Sequence, residues 1–124
     1  ERTNACQKAG QMGDRICAGL KELVKKHGLP FVVWNTGSIC HLETVGTMHY
    51  QINWKKPWEI PAILGETGIR QKEMEHMGAA YMAEGLVTLA GSRLYTSSAY
   101  TEEDIDECIK RFDKVLSKCE KIDY

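Results

Sequence analysis

The sequence lacks the features that identify membrane proteins and nucleic-acid-binding proteins. No apolar run approaches the roughly 18 residues that a membrane-spanning helix needs, and residues 1–11 are too polar for a signal peptide. The 16 Lys and Arg residues are matched by 17 Asp and Glu, so charge gives no reason to expect nucleic acid or a membrane surface as partner. The composition, with 43% hydrophobic and 27% charged residues, is typical of one soluble globular domain.

The cysteines do not form a recognisable metal or disulfide pattern. There are five, and no CxxC pair occurs among Cys6, Cys17, Cys40, Cys108 and Cys119. We therefore predict reduced cysteines that serve as small core residues, and a cytoplasmic location. If these segments are helical, Cys6 lies on nearly the same helix face as Cys17, and Cys108 lies on nearly the same face as Cys119.

Self-contained catalytic sites are also missing. None of the four histidines has a second histidine four residues away, so no metal site is predicted. Cys40 and His41 are adjacent, and in a strand they point to opposite faces, so they cannot form a nucleophile–base pair. The glycines are too scattered to hold a phosphate. We predict no catalytic, cofactor-binding or metal-binding residue in this sequence.

The first half of the chain reads as a helix followed by two strands. Apolar residues recur at helical spacing from Asn4 to His27, and Gly28 ends the pattern. Phe31 to Asn35 and Ile39 to Val45 have strand character, with a turn at residues 36–38. Gly46 to Ile60 has little periodicity and is predicted to be a surface excursion.

The second half predicts two more helices and a hairpin. Glu66 to Glu84 has helical periodicity, Leu86 to Leu89 and Leu94 to Tyr100 are predicted to be paired strands, and Thr101 is predicted to cap the last helix. That helix has an apolar stripe formed by Ile105, Cys108, Ile109, Phe112, Val115, Leu116 and Cys119. The predicted class is α+β, a small, mainly antiparallel sheet covered by helices.

Arg93 is the one candidate for ligand contact. It lies at the start of a predicted strand, directly after a Gly-Ser turn, where a guanidinium can bind a carboxylate through two parallel hydrogen bonds. The alternative is an exposed arginine at the end of a strand without a ligand, and the sequence pattern alone favours this alternative.

The ordered motifs of the chain resemble those of one enzyme family. Glu84-Gly85-Leu86-Val87, and the stretch Ser97 to Asp106 that contains T-E-E-D-I-D, are similar to the closing segment of class III aminotransferases. Thr36-Gly37-Ser38-Ile39 resembles the "G-S-M" strand of glutamate-semialdehyde aminomutases, and residues 13–20 and 27–30 resemble the helix that opens the small domain and its exit. The likeness covers most of the chain except Gly46 to Ile60.

The resemblance implies that the chain, residues 1–124, is the carboxy-terminal small domain of a larger enzyme that depends on pyridoxal phosphate. In this family the lysine and aspartate that hold the cofactor belong to a large domain, and no segment here resembles them. The parent is expected to be a homodimer that moves an amino group between small-molecule donors and acceptors. The chain alone is not expected to be active.

The resemblance also bears on Arg93. In many class III transaminases an arginine eight residues before the capping threonine binds a substrate carboxylate, and Arg93 stands eight residues before Thr101. Glutamate-semialdehyde aminomutases lack this arginine, and Tyr100 replaces their usual histidine. These departures favour a transaminase acting on an amino acid or amine. A free-standing, non-catalytic α+β binding module is the alternative.

Overall fold

A computed structural model describes residues 4–44 and 56–119. It contains three long helices, three short strands and one turn of 3-10 helix before the second long helix. The elements are α1 (Ala5–His27), β1 (Val32–Thr36), β2 (Ile39–Glu43), the 3-10 turn (Pro57–Glu59), α2 (Ile60–Ala83), β3 (Arg93–Tyr95) and α3 (Glu102–Leu116). The predicted α+β class, with helices and a small antiparallel sheet, is confirmed.

Helix α1 follows its sequence pattern closely. Its last turn carries three basic residues, where cations favour the negative end of the helix dipole. Gly28 then adopts φ +61° and its N–H donates to the carbonyl of Lys25, which ends the helix as predicted. The buried stripe of α1 consists of Gly13, Ile16, Cys17, Leu20 and Leu23.

The three strands form an antiparallel sheet in the order β1-β2-β3. Gly37 and Ser38 make the two-residue turn between β1 and β2, and Gly37 supplies the φ of +56° that its first position needs. This turn pairs Trp34 with His41. Cys40, Leu42 and Thr44 lie on one face of the sheet, as alternation along a strand requires, and this face is the buried one.

Helix α2 begins earlier than predicted. The predicted helix starts at Glu66, whereas α2 starts at Ile60. Pro61 lies in the first turn, where proline has no backbone hydrogen bond to lose, and the weak apolar periodicity of this end concealed the helix. The predicted excursion Gly46 to Ile60 is therefore wrong at its last residue, while its residues 46–55, and Val45 of the predicted strand, lie outside the described residues.

The predicted hairpin of Leu86–Leu89 with Leu94–Tyr100 is wrong. Only Leu89 bridges to Arg93, and β3 pairs with β2 instead. Ala90 and Gly91 both have positive φ, and Gly91 lies so close to the Met74 carbonyl of α2 that a Cβ would overlap it. This contact holds the turn against α2.

The strand that was predicted to continue to Tyr100 ends instead at Tyr95. The Thr96 hydroxyl donates to the carbonyl of Ala9 in α1 at 2.7 Å, and the Thr96 N–H donates to the Ser38 carbonyl at 2.9 Å. A turn follows, in which the Tyr100 N–H bonds the carbonyl of Ser97. These bonds direct the chain away from the sheet towards α3.

Helix α3 begins with the predicted capping arrangement. The Thr101 hydroxyl accepts from the Asp104 N–H at 3.2 Å, and the Asp104 carboxylate accepts from the Thr101 N–H at 2.9 Å. Three carboxylates occupy the first turn, near the positive end of the helix dipole. The predicted apolar stripe is confirmed, with Ile105, Phe112, Val115 and Leu116 buried and Cys108, Ile109 and Cys119 half-buried.

The core lies between the sheet and the helices. Helix α1 packs against β1, β2 and α3. Arg15 contacts Asp106 and Lys26 contacts Asp113, so α1 and α3 run parallel. The residues completely buried in this core include Leu20, Cys40, Leu42, Tyr81, Phe112 and Leu116. Among the described residues, none of the helices has both the length and the apolar character needed to cross a bilayer.

Candidate functional site

Arg93 lies where the sequence analysis placed it, at the first position of a strand. It is exposed, and it makes no side-chain hydrogen bond or ion pair with any residue in the described parts of the chain. Its backbone is held by Leu89, because its N–H donates to the Leu89 carbonyl and its own carbonyl accepts from the Leu89 N–H. The guanidinium is therefore an unpaired, exposed cation on a residue whose backbone is anchored at the edge of the sheet.

His41 of β2 is the cross-strand neighbour of Arg93. The Leu42 N–H donates to the Ser92 carbonyl at 2.8 Å, which makes His41 and Arg93 a pair without direct backbone hydrogen bonds. Side chains in such pairs approach each other most closely, with Cβ atoms about 4.5–5.5 Å apart. The imidazole and the guanidinium therefore share one face of the sheet.

Trp34 completes a row across the three strands. It pairs with His41, and the two rings are stacked with centroids 3.8 Å apart and planes inclined by 5°. We call Trp34, His41 and Arg93 the sheet row. It lies on the face opposite buried Val33, Leu42 and Leu94, and the Trp34 side chain remains 39% exposed.

Glu43 brings a negative charge to the same face. Its carboxylate oxygen Oε1 lies 3.7 Å from His41 Nδ1, which is ion-pair range but too long for a hydrogen bond. Glu43 and Arg93 do not form an ion pair with each other in the described structure. The face thus offers a guanidinium to an anionic group, beside a ring that the tryptophan stack and the carboxylate hold in place.

Cys40 and Cys108 are core thiols in this fold. Burial, followed by the proximity of Cys17, raises the pKa of Cys40 to about 12, and burial raises the pKa of Cys108 to about 11. These thiols remain protonated at neutral pH and act as core residues, as predicted. The prediction is wrong for Cys6, which is exposed because it lies about two turns before Gly13, the first buried residue of α1.

Among residues 4–44 and 56–119, no group of three or more His, Cys, Asp or Glu side chains is arranged to hold a metal ion. The described lysines are exposed on helix surfaces or beside them. Lys26 is paired with Asp113, and Lys110 and Lys114 line an open groove with Glu107 and Glu84, with which they are paired. A cofactor that needs a buried lysine does not fit these positions.

The sequence analysis did not connect Arg93 with His41 or Trp34. The pairing of β2 with β3, which brings Arg93 beside His41, joins residues about fifty positions apart and has no local signal in the sequence. The contact between Trp34 and His41, in contrast, has a local signal in the sequence. A two-residue turn at Gly37 and Ser38 fixes the register of β1 on β2 and pairs these two rings.

Comparison with known proteins adds no further constraint on this site. No protein-family model matches the chain, and no curated protein is significantly similar to it.

Proposed function

We propose that this chain is the small domain of a pyridoxal-phosphate-dependent class III aminotransferase, similar to glutamate-semialdehyde aminomutases, and that Arg93 binds the substrate carboxylate. The observation that carries the proposal is the state of Arg93, which is exposed, fixed at its backbone and unpaired by any described carboxylate. An unpaired guanidinium favours a planar anion, which it binds through two parallel hydrogen bonds.

Two further features support the proposal. Thr101 and Asp104, which belong to the motif that carries the resemblance, form a complete capping box. The helices that pack on the sheet leave Arg93, Trp34 and Tyr95 exposed on the opposite face. That face is available to a second domain that brings the cofactor and the remaining substrate contacts.

The described residues do not supply the cofactor site. In the intact enzyme pyridoxal phosphate would supply an electron sink and would be held by a lysine, whereas the described lysines are all exposed and none is buried as that role requires. The role of this chain in the reaction is to bind the substrate and to orient it. Arg93 holds the carboxylate of the amino donor or acceptor, and the stacked ring of His41 restricts the space beside the guanidinium.

The test of this role is a substrate comparison in the intact parent enzyme. A hydrogen-bonded contact to a charged group is worth about 1.5–3 kcal/mol, so Arg93→Ala should raise KM for carboxylate-bearing donors roughly 10- to 100-fold. For simple amines KM should change little. Arg111→Ala is a matched control, because Arg111 is also exposed but is already engaged by Glu107 and by the Glu84 carbonyl.

Two results would contradict the proposal. Equal losses for carboxylate donors and simple amines would remove Arg93 from substrate recognition while leaving the family assignment open. A gene with a start codon immediately before the codon for Glu1, and no upstream frame that encodes a cofactor lysine, would favour the free-standing binding module instead.

A further inference from the structure

A cavity of about 320 Å³ opens beside β3, away from the side chain of Arg93. Its walls are β3, residues 85–87 and the amino-terminal half of α3, and Ile16 of α1 contributes to its lining. The cavity exists because the predicted hairpin does not form. The chain diverges from β3 after the single bridge between Leu89 and Arg93, and it leaves a gap where a paired strand would lie.

The floor of this cavity, which we call the β3 cavity, is apolar. Leu86, Leu94 and Ile105 line it and are each at most 6% exposed. A half-buried thiol, that of Cys108, also lines it and is neutral because its pKa is raised by burial. A ligand that enters the β3 cavity therefore exchanges water for apolar contacts.

The charged groups at the rim are already satisfied. The carboxylate of Asp104 accepts from the backbone N–H of Thr101 at 2.9 Å. Arg111 donates from Nε to Glu107 at 3.0 Å and from Nη1 to the Glu84 carbonyl at 3.1 Å. The hydrogen bond from Arg111 is also the main reason that the pKa of Glu107 is lowered. The rim therefore carries one more acid than base, which disfavours an anionic ligand, and its hydrogen bonds are already made within the chain, so the apolar floor favours an uncharged ligand.

The mouth of the β3 cavity exposes large apolar side chains to water. Val87 is 82% exposed, Tyr95 51% and Tyr100 46%, and all three line the cavity. Neither tyrosine hydroxyl is hydrogen-bonded to another described residue. Clustered exposed apolar surface around a concave site marks a binding region, and each hydroxyl can bond a polar atom of the ligand.

We infer that the β3 cavity binds a small, uncharged, mainly apolar molecule of the size of a bicyclic aromatic ring. Apolar cavities of about 150 Å³ accept benzene, so a cavity of about 320 Å³ has room for two fused rings. A ring N–H or hydroxyl of the ligand bonds Tyr95 or Tyr100. This inference goes beyond the proposed function: Arg93 does not line the cavity, although Tyr95 at the mouth shares the exposed face with Arg93.

The experiment is a titration of the 124-residue chain with indole, followed by the backbone amide signals in two-dimensional NMR spectra. The expected result is saturable binding with shifts concentrated in residues 85–87, 94–96 and 104–108. Val87→Asp places a charge at the mouth and should weaken binding about tenfold, since a charge beside an apolar ligand must be desolvated. Met82→Asp is the matched control, because Met82 is 62% exposed and does not line the cavity.

A second variant tests the cavity without adding charge. Cys108→Met fills part of the β3 cavity with a flexible apolar side chain and should also weaken indole binding, while the amide spectrum shows whether the fold is kept. The inference is overturned if indole fails to bind up to its solubility limit. It is also overturned if the shifts fall elsewhere in the chain, or if Val87→Asp and Met82→Asp bind indole equally well.

Discussion

Tyr81 carries an unsatisfied polar atom at the centre of the core. The residue is fully buried, and its ring meets that of Phe112 edge to face with centroids 5.0 Å apart. Its hydroxyl has no hydrogen-bond partner among the described residues, and burial raises its pKa above the ordinary value. A buried hydroxyl without a partner loses its bonds to water and gains none in return.

Tyr81→Phe should therefore stabilise the protein. The ring and its contact with Phe112 are kept, and removing the buried hydroxyl should raise the free energy of unfolding by about 1 kcal/mol. Urea unfolding followed by circular dichroism measures the difference. Tyr100→Phe is the control and should change the stability by less than about 0.5 kcal/mol, because Tyr100 is 46% exposed. A clear loss of stability in Tyr81→Phe would mean that the hydroxyl has a partner.

For single residues, sequence patterns indicated which side chains share a face better than which residues are neighbours in space. Alternation puts Cys40 and Leu42 on the same face of β2, which is the buried one, and the position of Arg93 at a strand start was correct. The contact of Arg93 with His41 depends on long-range pairing, which no local pattern contains. Cys6 has the same helical phase as Cys17, yet only Cys17 is covered by the sheet.

Within the elements, glycine allows α1 to approach the turn between β1 and β2. A Cβ at Gly13 would overlap the carbonyl oxygen of Gly37, and that atom belongs to the backbone. The turn cannot withdraw easily, since the Thr96 hydroxyl also bonds the neighbouring Ser38 carbonyl at 3.1 Å. Because Gly13 has no side chain, α1 can lie this close to the sheet.

Gly13→Ala should destabilise the fold by about 1–3 kcal/mol, the range for overpacking against a rigid neighbour. Gly10→Ala in the same helix is the matched control. Its Cβ would meet only the Cα of Gly37, at an ordinary distance of 3.9 Å, so the better helix propensity of alanine should raise the stability by about 0.5–1 kcal/mol. Melting temperatures of the two variants should move in opposite directions; a shift in the same direction would contradict the close approach.

At the element scale, α1 and α3 could be predicted because each has its own end signals. Gly28 ends α1, and Thr101 with Asp104 begins α3. The predicted strand Leu86–Leu89 failed for the opposite reason. Its residues have the composition of a strand, but the Leu86 N–H bonds the Tyr81 carbonyl at the end of α2, and this bond draws Leu86 into the core. Tertiary contacts override local propensity there.

In the whole molecule, ion pairs join the two ends of α3 to the middle and the carboxy-terminal end of α1. Arg15 contacts Asp106 through two nitrogens and Glu102 through a third. At the other end, Asp113 accepts from Lys26 Nζ at 2.8 Å and from His27 Nε2 at 2.6 Å. Hydrogen bonds from Lys26 and then His27 hold the pKa of Asp113 below its ordinary value.

Asp113→Asn should lower the stability at neutral pH by about 0.5–1 kcal/mol, the range of partly exposed ion pairs. Because the folded-state pKa of Asp113 lies below its unfolded value, its contribution is complete above about pH 4 and is lost as the pH falls through the folded value. The unfolding curves of wild type and variant should therefore converge in acid. Glu22→Gln is the control, since Glu22 is exposed and makes no ion pair with another described residue. A difference that persists at low pH would assign the effect to packing.

For the whole molecule, the sequence was sufficient to predict the α+β class but not the packing. Periodicity indicates which face of α1 and of α3 is buried, but not that the two helices lie side by side. The close contact of Gly19 with Ile109 and the ion pairs at the two ends follow only from the folded chain. The β3 cavity was not predicted either, since it results from the strand that does not form.

The contact between the first and the last helix has a consequence for biosynthesis. Helix α1 packs against α3, and the Asp106 carboxylate that binds Arg15 comes about ninety residues later in the chain. Translation adds about 5–20 residues each second, so α1 waits several seconds on the ribosome with its apolar stripe uncovered. During this interval the nascent polypeptide is a natural client for chaperones that bind exposed amphipathic helices, and closure follows release of α3 from the exit tunnel.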